Sequence, residues 1–225
     1  IHPTMFDNQT INWTSMTPHQ LANSEESFNF IENVLIGGAA LSENTLSGLT
    51  LKPKRIVESY GMTETLSHIA LRERYPMSER FFKTLDTIKI SKAENGALLI
   101  DTPYLRTKKH LTNDEVELVD ERHFDMIGRL DDVINTGGVK IYPRTVEEIL
   151  KSNHWDKEFF VCGTPHPSLG SQITIVINAE KDIETSFVQE LIETIDWPEF
   201  HKPRKVILRD FIYTATGKIN KRATL

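Results

Sequence analysis

The sequence predicts an α/β chain, in part α+β: an open sheet with antiparallel hairpins over residues 1–130, then a small α+β domain over residues 131–225. Three observations predict it. Two short apolar runs each end at glycine, Val34-Leu35-Ile36 before Gly37-Gly38 and Arg55-Ile56-Val57-Glu58-Ser59-Tyr60 before Gly61. Such runs read as buried strands, and open α/β sheets take ligands beyond strand C-terminal ends. Alternating segments then flank Glu94-Asn95-Gly96, a hairpin signal. After Asp131-Asp132 the order becomes β-α-β-β-α-β.

Taken in order, Thr14-Ser15-Met16 reads as a strand end, with a helix starting near Pro18. The strands at Val34 and Arg55 follow. Thr87–Ile90 pairs with Ala97–Ile100 across the Asn-Gly turn, and Glu115–Val119 pairs with Phe124–Ile127 across Asp120-Glu121-Arg122-His123. Beyond Asp131, Val139–Pro143 leads into a helix over Thr145–Leu150. Strands are expected at Phe159–Cys162, Ile173–Asn178 and Lys205–Leu208, with a helix at Phe187–Ile195. No internal repeat and no low-complexity tract is visible.

Composition narrows the function. The chain has 225 residues, 39% of them hydrophobic and 26% charged, so a packed core is expected and disorder is not. A net charge of −6 argues against a general nucleic-acid or anionic-membrane binder, since both need clustered positive charge. The single cysteine, Cys162, excludes an internal disulfide and a multi-cysteine zinc site, and fits a reducing, cytoplasmic compartment. No apolar run reaches the ~18 residues of a membrane helix, and no signal peptide is visible. The chain opens at Ile1-His2-Pro3-Thr4-Met5 without an initiator methionine, so an upstream portion is expected.

Four segments can carry chemistry, and each has a plainer reading. Tyr60-Gly61-Met62-Thr63-Glu64-Thr65 follows a strand. Its glycine admits a flat ring or backbone, its threonine can donate to phosphate, and its glutamate can ligate Mg²⁺. A plain turn with a helix cap at Thr63 serves as well in isolation. Thr112-Asn113-Asp114 is expected to precede a strand, where Asp114 can accept from two ribose hydroxyls or merely form an Asx-turn. Arg129, in Gly128-Arg129-Leu130-Asp131-Asp132, can bond ribose or phosphate. Gly137-Gly138 is either a hinge, a ligand contact or a hairpin turn. Lys218 stands in the polar tail Thr214-Ala215-Thr216-Gly217-Lys218, where an isolated lysine is ordinarily just solvated.

Together, in this order and over Gly37 to Lys218, these motifs resemble the adenylate-forming superfamily of acyl- and aryl-CoA ligases, luciferases and peptide-synthetase adenylation domains. Leu35-Ile36-Gly37-Gly38-Ala39-Ala40-Leu41-Ser42 and the compact middle are most like its bacterial o-succinylbenzoate–CoA ligases of menaquinone biosynthesis. The resemblance implies the C-terminal portion of the large domain over 1–130 and a small mobile C-terminal domain over 131–225. It implies an AMP-forming acid–thiol ligase that uses ATP, Mg²⁺ and CoA on a small-molecule carboxylate, with o-succinylbenzoate the candidate. By the same resemblance Gly37, Gly38 and Ala39 line the adenine and acyl pocket, Tyr60 stacks on adenine beside Gly61, and Thr63 touches phosphate. Glu64 ligates Mg²⁺, Asp114 holds the ribose diol with Arg129 beside it, and Asp131 is the hinge of the small domain. Lys218 reaches the carboxylate and α-phosphate, and Gly138 lines the pantetheine channel.

The chain departs from the family pattern at two of these motifs. Asn113 stands where a glycine is usual, and is expected to take that glycine's left-handed conformation. Val139 replaces a glutamate. The family's phosphate loop and its His-containing segment are expected upstream of Ile1. Another acyl- or aryl-CoA ligase, or a nucleotide-binding fragment without activity of its own, are the competing readings; a homo-oligomer stays open. Cys162 is expected to be buried and inert, His19 and His166 to be surface or loop residues, and Trp13, Trp155 and Trp197 to be packing residues.

Overall fold

Nine strands and two short helices make the first part of the chain, in a computed structural model that describes residues 10–153, 155, 157–179, 185–214 and 218–225. The chain divides into two units, Ile1–Met126 and Ile127–Leu225. In the first, β1 (Ile11–Met16), α1 (Pro18–Ala22), β2 (Ile31–Ile36), α2 (Glu43–Gly48) and β3 (Arg55–Gly61) form a parallel α/β start. The antiparallel strands β4 (His68–Tyr75), β5 (Phe82–Thr84), β6 (Lys89–Lys92), β7 (Ala97–Asp101), β8 (Lys109–Leu118) and β9 (His123–Arg129) follow. The sheet order is β1-β2-β3-β4-β5-β9-β8-β7-β6.

Local chemistry sets these elements. Thr17 and Gln20 form a capping box that starts α1, with Pro18 at a position whose missing N–H costs nothing. The Asn95-Gly96 turn closes β6 on β7, with Gly96 at φ +90°. Val34, Ile36, Ile56, Leu21 and Phe28 form one core. Ile69, Phe82, Ile88, Leu98, Ile100, Val116 and Phe124 form another.

Two strands of this unit, β4 and β5, have no counterpart in the sequence reading. The buried positions of β4 include Arg72 and Arg74, so its inward face does not look apolar. The Thr112-Asn113-Asp114 segment lies inside β8 and does not precede it. A register shift between β7 and β8 absorbs it: Ala97 pairs with Glu115 but Leu99 with Leu111.

In the second unit, β10 (Ile134–Thr136) and β11 (Val139–Ile141) precede α3 (Pro143–Ser152), β12 (Phe159–His166), β13 (Gly170–Asn178), α4 (Thr185–Thr194), β14 (Lys205–Arg209) and α5 (Lys221–Thr224). The strand β10 adds to the expected β-α-β-β-α-β order. Gly137 and Gly138 form the two-residue turn between β10 and β11, at φ +58° and +87°. A two-residue hairpin with both residues left-handed is the geometry glycine serves best. The sheet runs β11-β10-β13-β12, with β14 parallel to β13. Val146, Leu150, Val161, Ile175, Ile177, Val188 and Ile192 fill the core between sheet and helices. Glu147 accepts from the Val161 amide at 3.0 Å and so covers part of the β12 edge.

The units divide ahead of the boundary expected at Asp131. The pairs that fix β9 to β5, Lys83 with His123 and Phe82 with Phe124, end before Ile127. No helix among the described residues is long and apolar enough to cross a membrane.

Candidate functional site

In the first unit the predicted residues gather at the C-terminal ends of β2 and β3. Gly37 still donates to Met16 O at 3.0 Å as the chain leaves β2. A Cβ on Gly37 would lie 3.2 Å from Ser59 Oγ, whose hydroxyl donates to Ile36 O at 2.8 Å. Gly38 follows at φ +83° and Ala39 is exposed. The strand exit therefore needs both a close approach and a left-handed residue.

The far side of this loop is held by a cluster that sequence reasoning missed. Glu58 Oε1 accepts from Leu41 N, and Arg74 donates to Leu41 O, each at 3.0 Å. Glu58 Oε2 accepts from Arg72 Nε at 2.9 Å and from Arg74 Nη1 at 2.5 Å. Arg74 also pairs with Glu43. All of Glu58, Arg72 and Arg74 are buried, at 2%, 8% and 6% exposure. Buried charges survive only when paired and hydrogen-bonded, and this cluster meets that condition. In sequence such residues look like solvated surface charge; the only hint is a charge inside each apolar run.

Tyr60 and Asp114 meet. The Tyr60 hydroxyl donates to Asp114 Oδ2 at 2.5 Å, across 54 positions of sequence. The Tyr60 ring lies edge-on to Phe124 at 5.2 Å and tilted to Phe82 at 5.9 Å. Asp114 is 7% exposed, and its amide donates to Thr112 Oγ1 at 3.0 Å. The Thr112 hydroxyl, not an Asx-turn, shapes this bulge. Asn113 is not among the described non-glycine residues with positive φ, so the left-handed conformation expected of it is not adopted. The register shift does that work instead.

Gly61 opens the loop that carries Thr63 and Glu64. A Cβ there would meet Ser67 O at 2.3 Å and His68 Cα at 2.5 Å, so the glycine makes room for its own chain, and not for a ligand. Thr63–Thr65 is a 3-10 turn with Thr63 and Glu64 exposed. The cap that the plain-turn alternative puts at Thr63 belongs to Thr65: its buried Oγ1 accepts from Met62 N at 3.1 Å and lies 2.8 Å from Ser67 O. Gly61→Ala should lower the stability of the first unit by about 2–4 kcal/mol, because backbone and not a flexible side chain must yield. A urea midpoint equal to that of the unsubstituted chain would refute this.

Among the described residues no three His, Cys, Asp or Glu side chains converge as a metal centre. Glu64 is a single exposed carboxylate. That suits Mg²⁺ held largely by phosphate oxygens and water, and no cation that demands an all-protein cage.

In the second unit Arg129 forms a two-pronged pair with Asp131, Nε to Oδ1 at 3.0 Å and Nη2 to Oδ2 at 3.2 Å. The guanidinium holds the Asp131 carboxyl below the ordinary aspartate range. A depressed carboxylate stabilises the fold above its unfolded value and loses that contribution as pH falls through its folded value. Both groups are half exposed, so the energy is small. Arg129→Gln should move the Asp131 carboxyl titration, followed by NMR, upward; an unmoved titration would contradict the pair.

The Gly138 position opens on free space, with no atom within 4 Å of a Cβ built there. Lys218 is exposed, its amide donating to Thr214 Oγ1 at 3.1 Å. Ala215, Thr216 and Gly217 of its motif lie outside the described residues, as does the Ile1–Met5 opening. Cys162 is half-buried, its thiol pushed up to about 11 by desolvation, and so unreactive near neutral pH. His19 is exposed, and His166 Nδ1 accepts from the Leu169 amide at 3.3 Å in the β12–β13 turn. Trp155 and Trp197 pack in the second core, but Trp13 is 47% exposed and lies under Arg55, contrary to its expected packing role.

The fold is similar to that of solved adenylate-forming enzymes, and curated relatives carry the same likeness. A 2-succinylbenzoate–CoA ligase of Listeria monocytogenes serovar 1/2a is 27% identical over 210 residues, covering 85% of this chain and 45% of that protein. A 4-chlorobenzoate–CoA ligase of Arthrobacter sp. is 23% identical over 235 residues, covering 90% and 45%. The fold matches o-succinylbenzoate CoA synthetase from Bacillus subtilis, solved with its acyl-adenylate intermediate, at TM-score 0.77 and 21% identity, covering 94% of this chain and 50% of that one. No family model matches the chain. The chain spans about half the length of the curated relatives it matches. It is thus similar to the adenylate-forming superfamily, and within it to the o-succinylbenzoate–CoA ligases.

Proposed function

We propose that this chain is the C-terminal part of an AMP-forming carboxylate–CoA ligase, with o-succinylbenzoate as the carboxylate and menaquinone biosynthesis, in the cytoplasm, as the setting. The observation that carries the reading is the Tyr60–Asp114 hydrogen bond beside the Thr63-Glu64 turn, which joins the end of β3 to the middle of β8, two motifs far apart in sequence. A carboxylate oxygen of the substrate attacks the α-phosphorus of ATP, giving acyl-AMP and pyrophosphate; the CoA thiol then attacks the acyl carbon and AMP leaves.

Each residue has a part in this. Asp114, fixed by Tyr60, offers carboxylate oxygens to the ribose hydroxyls. Tyr60 presents its ring to adenine beside the Gly37-Gly38-Ala39 loop. Thr63 donates to phosphate, and Glu64 holds Mg²⁺, which neutralises phosphate charge when bound. Lys218 offsets charge as the carboxylate attacks. Gly138 lines the path of the CoA arm, Arg129 stands beside the ribose, and Asp131 is the hinge, whose dihedral change lets a mobile domain serve both half-reactions.

ATP–pyrophosphate exchange by the whole protein against a panel of aromatic and aliphatic carboxylates tests the reading. Exchange that depends on o-succinylbenzoate supports it, and exchange with another acid alone moves the substrate assignment to a different acyl- or aryl-CoA ligase. ATP binding without exchange for any acid leaves a nucleotide-binding protein and overturns the ligase.

A further inference from the structure

We propose that Tyr213, Glu158 and Asn178 are positioning residues for Lys218. This rests on the ligase reading above, because it concerns the group assigned to adenylation. Lys218 is exposed on a polar tail, and a long flexible side chain on an untethered loop would be a poor electrostatic partner: misplacement by about 1 Å can cost orders of magnitude in rate. The structure shows how the tail is tethered.

The segment is pinned on both legs. Tyr213 and Ile219 form an antiparallel bridge that brackets Lys218, and Thr214 N donates to Lys218 O at 2.8 Å. On the outgoing leg Ile219 packs against the small apolar group Phe160, Val176 and Phe211. On the incoming leg the Tyr213 hydroxyl donates to Glu158 Oε2 at 2.8 Å. Asn178 Nδ2 donates to the same oxygen at 2.9 Å and to the Tyr213 hydroxyl at 3.2 Å. Asn178 is 2% exposed and ends β13, and its amide donates at 3.1 Å to the carbonyl of Glu158, the residue before β12, so both anchors are held at the sheet. Below the bridge, Asn220 N donates to Ile212 O at 2.7 Å, and Ile212 N to Thr224 Oγ1 at 3.1 Å.

The placement of the polar anchor favours positioning over plain stability. Tyr213 is 45% exposed, so its hydroxyl adds little to the core. A buried asparagine and a carboxylate are spent on holding the phenol next to the bridge. Phe211 and Ile219 already supply the packing.

The test uses Tyr213→Phe, which removes one oxygen and keeps the ring. Amide hydrogen exchange at Thr214 and Lys218 should rise about tenfold. In the whole protein, kcat for acyl-AMP formation should fall ~10-fold or more while KM for ATP stays within about twofold, and thioester formation from supplied acyl-AMP should be unchanged. Glu158→Gln, whose amide oxygen still accepts from Tyr213, should retain more adenylation than Glu158→Ala. Unchanged exchange at both amides overturns the clamp. Faster exchange with unaltered adenylation, or equal slowing of both half-reactions, overturns the positioning role alone. An unsubstituted whole protein without ATP–pyrophosphate exchange overturns the ligase reading and this role with it.

Discussion

Glu58→Ala should destabilise the first unit by about 3–5 kcal/mol, read as a fall in the urea midpoint. The carboxylate is the shared partner of Arg72 and Arg74, both buried, and it also accepts from Leu41 N. Removing it leaves two guanidinium groups and one amide without that acceptor in a site that water does not reach. Arg72 keeps the Arg80 carbonyl at 2.8 Å and the face of Phe82 at 4.3 Å, and Arg74 keeps Leu41 O and Glu43, so the loss is not total. Glu58→Gln should cost less, because an amide oxygen still accepts while the charge is gone. Replacing all three residues with apolar groups of similar volume should cost less than Glu58→Ala alone, since a buried pair offsets its own desolvation and adds little beyond that. If Glu58→Ala shifts the midpoint by no more than an exposed substitution does, the cluster is neither buried nor coupled in solution. The cost is local: Glu58 and Arg74 hold both polar atoms of the Leu41 peptide, and the Gly37-Gly38-Ala39 loop ends there.

That cluster also marks where reading the sequence stops. Strands β2 and β3 were legible because their buried faces carry Val34, Ile36, Ile56 and Val57 and their exits carry glycine, and the end of β1 at Met16 was legible from the helix start at Pro18. The strand β4 was not, because half its inward face is arginine, and a charge is read as solvated until its partner is known. The strand β10 has one buried apolar residue in three and no period to detect; only Gly137-Gly138 betrayed a turn. The site was legible as residue types and not as contacts. Tyr60 and Asp114 were singled out separately, yet their hydrogen bond depends on the β4-β5-β9-β8 pairing that brings the two strands' segments together. Gly61 was read as room for a flat ring or for backbone; it is room for the Ser67 and His68 backbone. Tyr213, Glu158 and Asn178 carried no signal at all, since nothing in the sequence distinguishes a tyrosine that tethers a loop from one that decorates it.

If the proposed ligase reading holds, Lys218→Ala in the whole protein should slow acyl-AMP formation by ~10²–10³, the usual cost of removing one group aimed at developing charge. It should leave thioester formation from supplied acyl-AMP nearly unchanged. The asymmetry follows from chemistry. In the first half-reaction a carboxylate approaches a polyphosphate, negative on negative, and a cation lowers that barrier. In the second, a thiol attacks an acyl carbon and AMP departs, and a cation assigned to the first orientation is hydrated and idle. The structure leaves the ammonium available for such a role: Lys218 is exposed, and its backbone, not its amine, makes the bonds to Thr214. It also fixes the right control. Lys221, three residues on, is unsuitable, because its amine pairs with Glu147 at 3.3 Å and lies over the Phe160 ring at 5.5 Å. Lys221→Ala would loosen α5 and the β12 edge as well as remove a charge. Arg222 is exposed on the same short helix and carries the same charge. If Arg222→Ala slows adenylation as much as Lys218→Ala, the effect is bulk charge and Lys218 has no special part. If Lys218→Ala slows both half-reactions alike, the tail is structural, and a lysine that acts in one orientation only is the wrong description. Lys218→Arg separates charge from shape: a guanidinium keeps the charge but is wider and planar, so rescue should be partial, and full rescue would show that only the field, not the fit, is used.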